Sequence, residues 1–209
     1  MESGKRPVPD RIARRVTHLL NLPATALPFS GRNLSCQEAS ERTVEEGLAR
    51  LGYPWLAYRR KRTAVTNPAD LLLTALSLDD LDPRLAEGLP WLLINFEGFD
   101  SEGLVSRAKA MDLQNRLGFT VTLAREVAEN DPLYRPRLDD LRSLERVLDH
   151  SRLAREDSYG RVETSARMRA WLLENRSSAA EHWNLLTDLK AEHLPYGHRD
   201  SRAVAELPS

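Results

Sequence analysis

One cysteine, Cys36, is all that this 209-residue chain carries. No internal disulfide can form, so a disulfide scaffold and a zinc site built on several cysteines are both excluded. Glycine is scarce, at 10 residues, which excludes a collagen. There is no Gly-x-Gly-x-x-Gly fingerprint, no phosphate-cradling glycine loop and no Gly-x-Ser-x-Gly elbow. Long apolar runs are missing as well: Leu89 to Ile94 is the longest, far too short to cross a bilayer as a helix. The first fifteen residues hold Lys5, Arg6, Arg11, Arg14 and Arg15 with no apolar stretch behind them, which predicts a chain without a secretion signal. The lone cysteine fits a reducing compartment. A cytoplasmic protein with no membrane attachment is expected.

What is present is a composition suited to a folded core, 41% hydrophobic and 29% charged. The net charge of −1 hides a division. Residues 1–66 hold 12 Lys and Arg against 6 Asp and Glu, and the remainder holds 18 against 25. A basic front can attract a polyanion, because each cation placed near a phosphate releases condensed counterions. Alternatively the two parts pair their charges inside one fold.

Most segments carry helical period. Asp10 can cap a short helix whose Ile12, Val16, Leu19 and Leu20 share a face. Ser35 and Glu38 form a capping box for a helix that uses Ala39, Val44, Leu48 and Leu51 and ends at Gly52. Pro54 to Val65 reads as a strand, with Trp55 and Ala57 alternating against Leu56 and Tyr58 before the cationic run Arg59, Arg60, Lys61 and Arg62. Those cations also suit an exposed strand edge. Asn67-Pro68 and Asp82-Pro83 each spell a helix start, a capping side chain followed by proline at the first helical position. Leu89-Pro90 offers a break, and Leu89 to Phe96 is a buried helix or strand. Ser101 and Glu102 open the next helix. Asp112 is placed to cap the strongest one, which carries Leu113, Leu117, Val121, Ala124, Val127 and Ala128 until Asn130-Asp131-Pro132 stops it. Leu138, Leu141, Leu144 and Leu148 form another helix, and Thr164 to Arg176 carries Met168, Trp171 and Leu172. A second capping box, Ser178 to Glu181, opens a helix with Trp183, Leu186 and Leu189.

The expected fold is therefore mainly α, a helical bundle-like domain with a small basic N-terminal α/β part of degenerate winged-helix type. The boundaries fall at 1–66 for the basic part, 67–195 for the helical domain and 196–209 for a polar tail.

The candidates for chemistry are few. His182, His193 and His198 are the nearest set of histidines, but their spacing matches no helical metal pair. His150 beside Asp149 sits where a histidine meets the negative end of a helix dipole. Cys36 stands at a predicted helix start, which lowers a thiol pKa, with no histidine near it in sequence to act as a base. Asp79-Asp80 and Asp139-Asp140 are adjacent pairs whose side chains diverge on a helix. No enzyme, metal or cofactor is expected. Arg11, Arg14 and Arg15 lie on one helical face, and with Arg59, Arg60, Lys61 and Arg62 they could contact DNA phosphates.

From Val65 onward two segments carry a family resemblance. Val65-Thr66-Asn67-Pro68-Ala69-Asp70-Leu71-Leu72-Leu73 is an extended entry, a helix start and an apolar helix. Leu104 to Met111 is then followed by Asn115-Arg116-Leu117-Gly118-Phe119. In this order they resemble the abortive-infection type IV (AbiEi-like) antitoxins over about residues 60–130. The resemblance implies a bacterial transcriptional regulator in a toxin–antitoxin pair. An N-terminal winged helix would bind an operator, and the helical remainder would oppose a nucleotidyltransferase-like toxin. It marks Asn115, Arg116, Leu117, Gly118 and Phe119 as a partner-contact or helix-packing motif. The alternative is a helical protein-interaction module without nucleic-acid binding.

Overall fold

A computed structural model describes residues 15, 19–20, 22–26, 39–59, 67–161 and 165–196. The fold is mainly helical. In chain order the helices are α1 (Glu41–Leu51), α2 (Pro68–Leu76), α3 (Pro83–Ala86), α4 (Gly88–Asn95), α5 (Ser101–Ala110), α6 (Gln114–Asn130), α7 (Leu138–Asp149), α8 (Ala166–Asn175) and α9 (Ser178–His182). Two short strands, β1 (Asp157–Ser158) and β2 (Leu185–Leu186), pair in parallel, Asp157 opposite Leu185 and Ser158 opposite Leu186.

Three helices make the interior. Every residue of α2 is buried, as are Gly88 to Ile94 of α4 and Gln114 to Ala124 of α6. Helices apolar all round, or whose polar groups are satisfied within the fold, can sit in this position. Around them α1 turns Val44, Leu48 and Ala49 inward, and α7 does the same with Leu141, Leu144 and Leu148. Val44, Leu48, Tyr53 and Leu56 belong to the same core as the residues after 67.

The punctuation read from sequence is largely in place. Asn67 Oδ1 accepts from the Ala69 amide at 2.9 Å, Asp82 Oδ1 from Arg84 at 2.8 Å, and each is followed by proline in the first turn. Leu89-Pro90 breaks nothing. Pro90 lies in the first turn of α4, where a missing N–H leaves no helical acceptor unmet, and the ambiguous segment is a helix.

Four expectations are corrected. Pro54–Arg59 is a run of 3₁₀ turns, kinked at Leu56, rather than a strand. The preceding Gly52 is left-handed, and the amides of Gly52 and Tyr53 both bond back to the Leu48 carbonyl, which curls the chain where it leaves α1. The cap of α1 is Ser40, whose side chain accepts from Thr43; Ser35, Cys36 and Glu38 lie outside the described residues. Asp112 caps nothing: at φ 57° it is the left-handed residue closing α5, and the Leu113 amide bonds back to the Ala108 carbonyl at 2.8 Å. The last helix starts one residue early, at the Ser177 cap, and stops at His182. Asn184 at φ 54° then turns the chain so that Leu185–Leu186 pairs with β1 instead of continuing to Leu189. Tyr196 is packed against the core, its hydroxyl donating to the Glu87 carbonyl at 2.6 Å.

Candidate functional site

Every residue of the Asn115–Phe119 segment is buried, and each is used inside the fold. Asn115 clamps one peptide with both ends of its amide, donating to the Leu153 carbonyl at 2.9 Å and accepting from the Leu153 amide at 2.8 Å. Arg116 is the hub. Nε and Nη2 grip the Asp157 carboxylate at 2.9 and 2.8 Å, and Nη1 donates to the carbonyls of Leu76 and Leu78 at 2.9 and 3.1 Å. Nη2 also reaches Asp79 at 3.3 Å. Burial works against its charge, yet the carboxylates of Asp157 and Asp79 hold its pKa above the ordinary value. Leu117 and Phe119 are core, with Phe119 edge-on to Tyr159 at 4.9 Å. At Gly118 a Cβ would overlap the Trp183 ring. The segment packs helices and offers no accessible surface to a partner.

The histidines and acids form pairs, not clusters. His182 Nε2 meets Asp149 Oδ1 at 2.8 Å. His150 Nδ1 donates instead to the Arg146 carbonyl, one turn back, at 2.6 Å. His193 lies 3.9 Å from Glu192; His198 is outside the described residues. Asp79 is taken by Arg116, and Asp140 by Arg137 at 2.9 Å. Among the described residues no group of three His, Cys, Asp or Glu could hold a metal ion.

Of the seven candidate DNA-contacting cations, Arg15 is exposed. Arg59 ends the 3₁₀ run, and Arg11, Arg14, Arg60, Lys61 and Arg62 lie outside the described residues. The helical body spends several of its own arginines internally: Arg107 on Asp70 at 2.6 Å, and Arg125 on Glu145 and Glu129 at 2.7 and 2.8 Å.

Among the described residues a groove of about 1260 Å³ lies between α1, the 3₁₀ run and α3, lined among others by Glu41, Arg42, Tyr53, Trp55, Leu85 and Glu87. Glu41 joins two of its walls by accepting from the Asp82 amide at 2.7 Å. Trp55 is 60% exposed. Tyr53 is fully buried, packed on Trp91 with ring centroids 5.3 Å apart and edge-on to Tyr196 at 6.5 Å. Burial, and then the Glu87 charge, push its hydroxyl pKa well up; burial also raises Glu87, against the opposing pull of Arg84. The groove was not legible in the sequence. Trp55 read as one residue of an alternating strand, and only the curl after α1 puts it at the lip. No helix among the described residues is long and apolar enough to cross a membrane. Comparison with protein-family models, curated proteins and solved structures finds no match for this chain.

Proposed function

We propose that this chain is a non-catalytic, antitoxin-like regulator whose helical body holds a protein partner and whose basic front touches DNA. The observation that carries the partner half is the groove with Trp55 at its lip. Its volume is close to that of a ten-residue helix, a cylinder about 15 Å long and about 10 Å across. A half-exposed tryptophan at the edge of a concave surface is the kind of residue on which interface energy concentrates. The DNA half rests on the surplus of six positive charges in residues 1–66 and on the resemblance of the following segment to regulators of toxin–antitoxin pairs. By that resemblance the partner is a nucleotidyltransferase-like toxin encoded beside this chain.

A second reading, partner binding without nucleic acid, is favoured by one observation: Pro54–Arg59 is curled where a wing needs extended chain. The two are separated by one pair of measurements. Co-expression with the product of the neighbouring reading frame, followed by Trp55→Ala, tests the groove; the expected result is a complex weakened about tenfold or more, in the range of an aromatic interface anchor. An unweakened complex would remove the groove from the reading. Retention of a DNA fragment from upstream of its own gene, measured against salt, tests the front. Replacing Arg59, Arg60, Lys61 and Arg62 with alanine should flatten the log–log salt slope by about 3 to 4, from roughly 0.9 per phosphate contact. No retention by the parent at low salt leaves the second reading standing alone.

A further inference from the structure

Helix α8 differs from its neighbours in having no buried residue at all. It hangs between its own ends: Ser165 caps it at the Met168 amide, Arg169 is tied to Glu156 at 2.7 Å, and Arg176 just beyond it reaches Glu181 at 3.7 Å. Its outward face is centred on Trp171, 45% exposed, with Arg167, Met168, Glu174 and Asn175 at the four helical-neighbour positions, three and four residues to either side. Met168 is 44% exposed. A ten-residue helix with no fully buried residue gains less from tertiary packing, the usual source of helix stability in proteins. An apolar centre in a polar ring is the arrangement of a contact surface.

We propose that the occupant of this face is a second copy of the chain, with the two α8 helices packed antiparallel about a twofold axis at Trp171. The argument is the charge pattern. Arg167 and Glu174 are seven residues apart, so they stand on the same flank of the helix, one before and one after Trp171. A twofold that reverses the helix direction keeps like flanks together. It therefore sets Arg167 of one copy against Glu174 of the other, and does so twice. Neither residue enters an ion pair among the described residues, whereas Arg169 and Arg176 do. Tryptophan stacks on tryptophan at the centre, and Met168 meets Asn175 of the second copy on the opposite flank. A parallel twofold would instead oppose unlike flanks, setting Arg167 beside Met168 and Glu174 beside Asn175, and would pair neither charge. Two helices of about 15 Å can bury only a fraction of the ~1,200 Å² of a standard interface, so the association is weak and visible at high protein concentration.

The proposal is independent of the groove, which lies on other elements. Sedimentation equilibrium or light scattering on the full chain, from about 10 μM to about 1 mM, should show the mass climbing from one chain of 23.7 kDa toward two. Trp171→Asp should stay at one chain throughout, with an unchanged circular dichroism spectrum. Glu174→Arg, which sets arginine against arginine, should raise the dissociation constant about tenfold. The double exchange Arg167→Glu with Glu174→Arg should bring it back. A parent chain that keeps the mass of one copy over the whole range overturns the proposal. So does a Glu174→Arg variant that associates as the parent does, or a double exchange that fails to restore association. Trp55→Ala should leave the mass distribution untouched, so failure of the groove reading and failure of this one are told apart.

Discussion

Gly118 and Trp183 set a tight constraint, since a 17-residue helix and a buried tryptophan meet where a side chain would stand. Trp183 is held from its other end as well, its Nε1 donating to Thr122 Oγ1 at 2.8 Å. The ring is thus held at both ends. Gly118→Ala should cost about 2–3 kcal/mol, the overpacking range, even though alanine favours helix. Equilibrium urea unfolding measures it, and a loss below half a kilocalorie would mean that the ring can move. Arg116 shows the opposite strategy, a charge brought into the interior because five acceptors converge on it. Removing such a fork strands Asp157 rather than relieving a burial cost. In sequence the Arg-Leu-Gly-aromatic string could be read as contact or as packing; all five residues from Asn115 to Phe119 are buried in the fold.

At the scale of elements, capping chemistry was the most legible signal. Asn67-Pro68 and Asp82-Pro83 start helices where they should, because the side-chain oxygen and the fixed proline φ act within three residues and need nothing from the rest of the fold. Asn67→Ala should therefore destabilise by about 1 kcal/mol, the usual loss of an N-cap, read as a shift of the urea midpoint at unchanged slope. Signals that depend on more distant partners misled. The alternation in Pro54–Arg59 suggested a strand, but among the described residues no strand lies beside it to pair with, and the left-handed Gly52 curls the chain first. Leu185–Leu186 has the period of the helix before it, yet is claimed by the amides and carbonyls of β1. Local sequence holds no record of either competition.

At the scale of the whole molecule, Tyr53, Tyr134 and Tyr159 lie in the core and Tyr196 packs against it, and the hydroxyls of three of them, Tyr53, Tyr159 and Tyr196, respond to that burial. Burial raises all three hydroxyl pKa values; Glu87 adds to the effect at Tyr53, while Thr120 and Arg116 oppose it at Tyr159. A folded pKa above the unfolded one means that the folded state keeps its proton longer. Stability is thus complete below the unfolded value of about 10 and falls as pH rises past it, by up to about 1.4 kcal/mol per pH unit for each group. Urea unfolding followed from neutral to strongly alkaline pH should show a flat region and then this decline, with tyrosinate absorbance appearing together with the loss of helix. Tyrosinate that forms fully while the helical signal persists would contradict the burial.

By itself the sequence determined that the chain is mainly helical, where most helices begin, and how the charge divides between its front and its body, because these depend on side-chain periodicity, short-range hydrogen bonds and simple composition. Only the tertiary structure decided that Asn115 to Phe119 lie inside, that Asp149 takes His182 rather than its neighbour, that Trp55 stands at the lip of a groove and that α8 is left uncovered. Each of those outcomes is set by which surfaces far apart in the chain bury one another, and a side chain facing inward is spelled with the same letter as one facing out.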